Sequence, residues 1–164
     1  MRRSPIPAAG LWAALVLAAG LAGGAVPAQA ISLTPIEDAA TQKECSACHI
    51  AYPPQMLPMR SWQALLGNLS KHFGEDATLP KTTAAGIARY LMSMAADSPS
   101  DAEGRVFLRG LAAGDTPLRI DATPIWQMIH GDPGQSVFKR SDITSSANCA
   151  ACHQGAAQGQ FYGE

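Results

Sequence analysis

The stretch Cys45–His49 reads CSACH, and Cys149–His153 reads CAACH. Each stretch has two cysteines separated by two residues and followed at once by a histidine, and these four cysteines are the only ones in the 164-residue chain. A disulfide inside either pair would close a very small loop and would therefore stabilise the fold little. It would also leave both histidines unexplained.

The pattern C-x-x-C-H is the attachment motif of c-type haem. Its two thiols add to the two vinyl groups of one haem, and the imidazole of the next residue reaches the iron as its proximal ligand. The motifs therefore predict two haem c groups. Cys45, Cys48, Cys149 and Cys152 are the expected attachment residues, and His49 and His153 the expected proximal ligands. Two alternatives are a zinc site of four cysteines and a disulfide framework.

The chain has four histidines, and the two outside the motifs are His72 and His130. Two irons with one proximal histidine each need two further ligands, so the supply of histidines matches the demand. We expect His72 and His130 to be the distal ligands. His72 follows His49 by 23 positions, and His130 precedes His153 by the same 23. The simplest pairing is therefore His49 with His72 and His153 with His130, although the sequence also permits an exchange of distal ligands.

Methionine is the competing distal ligand. Met56 and Met59 lie in the proline-rich segment AYPPQMLPM and are the serious alternatives. Met92 and Met94 fall in an amphipathic pattern and Met128 is close to His130, so all three are expected to pack rather than to ligate.

A helix is predicted in RSWQALLGNLSKHFGED, with Ser61 as its N-cap and Gly74 as its left-handed stop. His72 would lie on the apolar face of this helix. The other members of that face are Trp62, Leu65, Leu66, Leu69 and Phe73.

A second helix is predicted in DATPIWQMIHGDP, where Thr123 is the N-cap, Pro124 the first helical residue and Gly131 the stop. His130 lies four residues after Trp126 and so on the same face. Ile125 and Ile129 complete the expected apolar face.

The first thirty residues have the features of a secretory signal peptide. A basic start precedes an apolar run of about 16 residues, which is short for a membrane span of about 20, and Ala28–Ala30 reads AQA, a small-x-small cleavage site. Cleavage after Ala30 predicts export to the periplasm with no stable membrane insertion. It leaves 10 basic and 13 acidic side chains and no basic run, so a nucleic-acid partner is not expected.

Few strands and several short helices predict a mostly α fold, with short helices and loops wrapped around two covalently bound haems. TTAAGIARYLMSMAAD is a further expected helix, and DSPSDAEG is the best linker. The expected division is a signal peptide at 1–30, a first haem lobe at 31–98 and a second haem lobe at 99–164.

The chain resembles the dihaem cytochromes c of the bacterial periplasm, often abbreviated DHC. The resemblance covers the mature chain, and its most specific part is ECSACHIAYPPQMLPMRSWQALLGNLSKHFGEDATL. PLRIDATPIWQMIH and SANCAACHQGAAQGQF are also similar to that family. It implies two bis-histidine haems, electron transfer rather than catalysis, and a redox partner, which in that family can be a small high-spin, oxygen-binding monohaem cytochrome c.

The expected function is thus that of a periplasmic electron carrier and not an enzyme, working with that kind of partner or with a membrane-bound, quinol-linked cytochrome. The alternative is a dihaem enzyme or a gas-binding haem protein in which one axial ligand is displaceable. No cysteine is left over to act as such a ligand.

Overall fold

The structure is a computed structural model that describes residues 31–100 and 103–161. The predicted signal peptide and its cleavage site at Ala30 lie outside these residues. Within these residues the α-helices are α1 (Ala39–Cys45), α2 (Met59–Leu66), α3 (Lys81–Ser93) and α4 (Pro124–His130). The strands of the same part of the chain, β1 (Ile31–Ser32) and β2 (Gln160–Phe161), form one short antiparallel pair. This architecture confirms the predicted mostly α fold.

Short 3₁₀ helices and turns connect these elements. The 3₁₀ helices span Pro54–Met56, Leu69–Lys71, Glu103–Leu108, Ile120–Ala122, Ser136–Lys139, Cys149–Ala151 and Ala156–Gln158. Within the described residues, none of the helices combines the length and the apolar character that crossing a membrane requires.

The helix predicted around His72 is shorter than expected. It begins at Met59, two residues before the predicted cap Ser61, and ends at Leu66. The Met59 N–H donates to Asp97 Oδ1 at 2.7 Å, and the Pro58 carbonyl accepts from Ser61 and Trp62. The Gly67 N–H caps the C-terminal end by donating to the Gln63 carbonyl. The helix stops here because glycine and the asparagine that follows extend a helix poorly. His72 therefore lies outside the helix, after the 3₁₀ turn Leu69–Lys71.

The helix predicted around His130 has the expected ends. The Thr123 side chain accepts from the Trp126 N–H at 3.4 Å, Pro124 is the first helical residue, and Gly131 follows with φ +79°. Its apolar face is narrower than predicted, because Ile125 and Trp126 are buried whereas Ile129 is 55% exposed.

Two apolar clusters form the protein core. One packs α2 against α3 and consists of Leu57, Trp62, Ile87, Leu91 and Ala95. The other takes residues from both halves of the chain, namely Leu33, Met56, Ala96, Phe107 and Ile125. The half-buried Tyr52 packs against both clusters. The two halves therefore share a core.

A buried carboxylate, Asp121, ties the second half together. It accepts two hydrogen bonds from the Arg119 guanidinium, at 2.8 and 2.5 Å, and one from the Ser146 hydroxyl. Burial opposes ionisation of this carboxyl, but the Arg119 and Ser146 donors outweigh it and lower the pKa of Asp121. The ionised carboxylate thereby ties Ser146, three residues before Cys149, to the 3₁₀ helix Ile120–Ala122 that precedes α4.

The two ends of the described chain meet at Gly159. The Leu33 N–H donates to the Gly159 carbonyl at 2.8 Å, next to the β1–β2 pair. Gly159 has φ +74°, and a Cβ at this position would collide with the Leu33 carbonyl oxygen. Glycine is therefore required here both for its backbone conformation and for the close approach of the two segments.

Replacement of this glycine tests that contact. We expect Gly159→Ala to lower the free energy of unfolding of the haem-loaded protein by about 2 kcal/mol or more. The alanine would be strained in the left-handed backbone conformation of residue 159, and its Cβ would also collide with the Leu33 carbonyl oxygen. Urea denaturation followed by circular dichroism measures the change. Gly114→Ala is the control, since a Cβ at Gly114 meets nothing within 4 Å. Equal stability of the two variants would show that the contact at Gly159 is unimportant.

Candidate haem sites

The two cysteine motifs begin in different local structures. Cys45 is the last residue of α1, and the rest of its motif forms a turn in which Cys48 is exposed. Cys149 opens a 3₁₀ turn, and Cys152 is exposed in the same way. Burial raises the pKa of the Cys149 thiol to about 11 and also raises the pKa of Cys45. Both thiols are therefore protonated at neutral pH.

The structure supports neither alternative use of the cysteines. All four are free thiols rather than disulfides. Across residues 31–100 and 103–161, no three side chains from histidine, cysteine, aspartate and glutamate converge as metal ligands would. The two cysteine pairs therefore do not come together as a four-cysteine zinc site requires.

At the first motif, His49 faces His72. Their ring centroids are 6.1 Å apart and the ring planes differ by 26°. His49 Nδ1 lies 2.6 Å from its neighbour's carbonyl oxygen, that of Ile50, and the Tyr52 ring stacks on the His49 imidazole with centroids 4.8 Å apart. Burial first, and His49 second, lower the pKa of His72. A lowered pKa favours the neutral imidazole, which is the metal-ligating form.

A tight turn presents His72. The His72 N–H donates to the Glu75 carbonyl at 2.8 Å, and the Glu75 N–H donates to the His72 carbonyl at 3.1 Å. The two central residues, Phe73 and Gly74, have φ of +53° and +101°. A positive φ at a phenylalanine is strained, so the surrounding structure must hold this turn in place. The turn leaves the Phe73 ring 55% exposed and in edge contact with His72, with centroids 4.9 Å apart.

At the second motif, His130 faces His153. Their ring centroids are 6.0 Å apart and the planes are nearly perpendicular, at 89°. The Trp126 ring stacks on His130 at 4.5 Å, and the Trp126 carbonyl lies 3.1 Å from His130 Nδ1. On the other side, Phe161 meets His153 edge-on at 5.6 Å. Burial lowers the pKa of His130, against the opposing effect of the Trp126 carbonyl.

Both histidine pairs have the span that a shared metal ion requires. A ligating imidazole nitrogen lies about 2 Å from its metal and the ring centre roughly 1 Å beyond, so two imidazoles on one ion have centres about 6 Å apart. At His49 and His130, the carbonyl oxygen beside Nδ1 can only accept, so it favours the tautomer in which the other ring nitrogen, Nε2, is the metal-ligating atom.

The surroundings of His72 also fit a large apolar cofactor. The Phe73 ring meets the His72 ring edge-on and is 55% exposed. An exposed aromatic ring beside a proposed ligand offers an apolar surface that a macrocycle could cover. The donor set, the imidazole span and this aromatic neighbour together fit haem.

The methionine alternatives have other positions. Met56 is 4% exposed and belongs to the core cluster of Leu33 and Phe107. Met59 is half-buried against the α2–α3 cluster. Both side chains therefore pack in the protein core. The expectation that Met128 packs beside His130 is wrong, because Met128 is 72% exposed.

Two aromatic residues that sequence reasoning left without a role lie at the sites. Tyr52 stacks on His49, and Phe161 contacts His153. The position of Tyr52, three residues after a proximal histidine, could have suggested its contact. Phe161 gave no such signal, because its contact depends on the pairing of β2 with β1.

Comparisons with known proteins agree with this geometry. The family described as dihaem cytochrome c matches residues 41–161. A dihaem cytochrome c from Rhodobacter sphaeroides is 46% identical, with a TM-score of 0.70, covering 78% of this chain and 99% of the other. The crystal structure of DHC purified from the same organism is 40% identical, with a TM-score of 0.64, covering 77% of this chain and 99% of the other.

A more distant structure, the dihaem cytochrome type c of Shewanella baltica, is 30% identical with a TM-score of 0.59, covering 76% of this chain and 86% of the other. Curated proteins give no match. The family match spans most of the chain and includes both cysteine motifs and all four histidines. This family implies two covalently bound haem c groups, and the cysteines that attach them are present in both motifs. The chain therefore belongs to the dihaem cytochrome c family.

Proposed function

We propose that this protein is a periplasmic electron carrier whose two haems are each ligated by two histidines, His49 with His72 and His153 with His130. Its family supports a haem-based carrier role. The observation that carries the finer proposal is the separation of about 6 Å within each imidazole pair. Each haem supplies a one-electron iron couple, and the chain sets its potential through ligand identity, burial and hydrogen bonding.

The hydrogen bonds at Nδ1 strengthen the histidines as ligands. A ring N–H that donates to a carbonyl fixes the tautomer and makes the opposite nitrogen more basic. The Ile50 carbonyl does this for His49, and the Trp126 carbonyl for His130. Since burial also keeps His72 and His130 in their neutral forms, each pair is prepared to bind metal.

Ligation by two histidines leaves no coordination position for a substrate. This favours a carrier over a haem enzyme or a gas-binding protein, either of which needs an open or displaceable position. The tight turn at His72 and the stacking of Trp126 on His130 both oppose loss of a distal ligand.

The net acidic charge of the predicted mature chain, with 13 acidic and 10 basic side chains, suits a partner that presents a basic patch. Redox partners dock over small areas and separate quickly. A small high-spin monohaem cytochrome c and a membrane-bound, quinol-linked cytochrome are the partner classes that we propose. Export through the predicted signal peptide would place the carrier in the periplasm with them.

Carbon monoxide tests whether the irons are closed. We expect the absorption spectrum of the dithionite-reduced, haem-loaded protein to be unchanged by carbon monoxide, because both axial positions of each iron are filled. His130→Ala should open one iron and give a carbon monoxide difference spectrum for one of the two haems. A shift in the unaltered protein would contradict the proposal and favour the enzyme or gas-binding alternative.

Met128→Leu is the matched control for this experiment. Met128 is two residues before His130 and is largely exposed, so the replacement alters the same helix without touching a proposed ligand. We expect it to stay insensitive to carbon monoxide. If Met128→Leu opened an iron as His130→Ala does, the effect would come from disturbing the helix, and the assignment of His130 as the distal ligand would lose its support.

Electron paramagnetic resonance tests the two pairings separately. Nearly parallel imidazole planes split the iron d orbitals that they overlap, whereas perpendicular planes leave those orbitals nearly equal in energy. With angles of 26° and 89°, the oxidised protein should give one rhombic low-spin signal and one strongly anisotropic low-spin signal of equal integrated intensity. Two rhombic signals would contradict the geometry at His130 and His153.

A further inference from the structure

Tyr52 connects the first histidine pair to the loop that carries the second motif. Its ring lies 4.8 Å from the His49 ring, with the planes 19° apart, and its hydroxyl donates to the Ala147 carbonyl at 2.7 Å. Ala147 is 95 residues away in sequence and only two residues before Cys149. One side chain thus contacts a proposed ligand of one haem and the attachment loop of the other.

We propose that Tyr52 is the residue that couples the two haem sites electronically, by linking His49 to the backbone that leads into Cys149. This inference rests on the proposed function, since it takes His49 as a ligand of one haem and Cys149 as an attachment residue of the other. When an electron passes between the sites, one iron is oxidised and the other is reduced. Tyr52 itself is neither oxidised nor reduced, and no proton moves.

The path through Tyr52 contains two non-covalent contacts, a ring stack and a hydrogen bond. From Ala147, covalent bonds lead to Cys149, and the Ala147 carbonyl also lies 3.7 Å from Cys149 Sγ. Electronic coupling falls far more steeply across a gap than along bonds. A short path with few gaps therefore contributes most of the coupling that the protein supplies.

A second chain of contacts reaches the same loop and is less suited to this role. His72 meets Phe73, the Arg119 guanidinium lies 5.8 Å from the Phe73 ring, and Arg119 binds Asp121, which accepts from Ser146. Because Phe73 follows His72 in the chain, this route has three non-covalent contacts, one of them a wide cation–π contact. It ends on Ser146, next to Ala147, and so offers a control for effects on loop position.

The surroundings keep Tyr52 in place as a neutral phenol. Its ring packs against both core clusters, and burial, with smaller contributions from neighbouring charges, raises its pKa to about 12. The hydroxyl therefore remains a hydrogen-bond donor to Ala147 throughout the physiological pH range.

Tyr52→Phe tests the proposal, because it keeps the ring on His49 and removes only the hydrogen bond to Ala147. The matched control is Ser146→Ala, which removes one hydrogen bond from the adjacent residue of the same loop. The measurement is the rate of electron exchange between the haems in singly reduced holoprotein, taken from the field-dependent relaxation of haem methyl protons. The two midpoint potentials, from spectroelectrochemical titration, correct each rate for driving force.

We expect Tyr52→Phe to slow the corrected exchange several-fold and Ser146→Ala to leave it unchanged. Equal rates for Tyr52→Phe and the unaltered protein would overturn the proposal. So would equal slowing by both variants, because Tyr52 would then act only by anchoring the loop. Failure of the proposed function would show itself separately, as carbon monoxide binding to the unaltered protein or as no exchange between its haems.

Discussion

The separation of the two imidazole rings within each proposed ligand pair is the constraint on which the rest of this structure depends. It is about 6 Å, with little tolerance, because a ligand that is slightly too far away does not bind. The protein meets this distance twice, and each time it positions one histidine within a cysteine motif and the other on a separate segment. The short helices and turns are best understood as supports that fix these four rings.

The two sites meet the same constraint by different means. At the first, a turn with two positive φ values holds His72, and its ring lies nearly parallel to that of His49. At the second, a capped helix holds His130 by stacking on Trp126, and its ring is perpendicular to that of His153. Since ligand orientation, burial and neighbouring dipoles all act on a haem iron, the proposed sites would be inequivalent although their proposed ligand sets are the same.

Local signals in the sequence predicted the parts that depend on local chemistry. The helix at Pro124–His130 was predicted to the residue, because Thr123, Pro124 and Gly131 act within one turn of their own positions. The helix before His72 was predicted too long, because leucine spacing suggested continuity where Gly67 ends it. The contacts of Tyr52 with Ala147 and of Phe161 with His153 could not be predicted, since both depend on segments that meet only in the folded chain.

The pairing of β1 with β2 has a consequence for the second haem site. Residues 31 and 161 are the first and last residues that the structure describes, so this contact closes a loop that spans the whole described chain. Phe161, at the end of this pair, packs on His153. The contact of Phe161 with His153 therefore depends on the other end of the described chain. Loss of the β1–β2 pair would release Phe161 and so change the surroundings of the second motif without altering any residue of that motif.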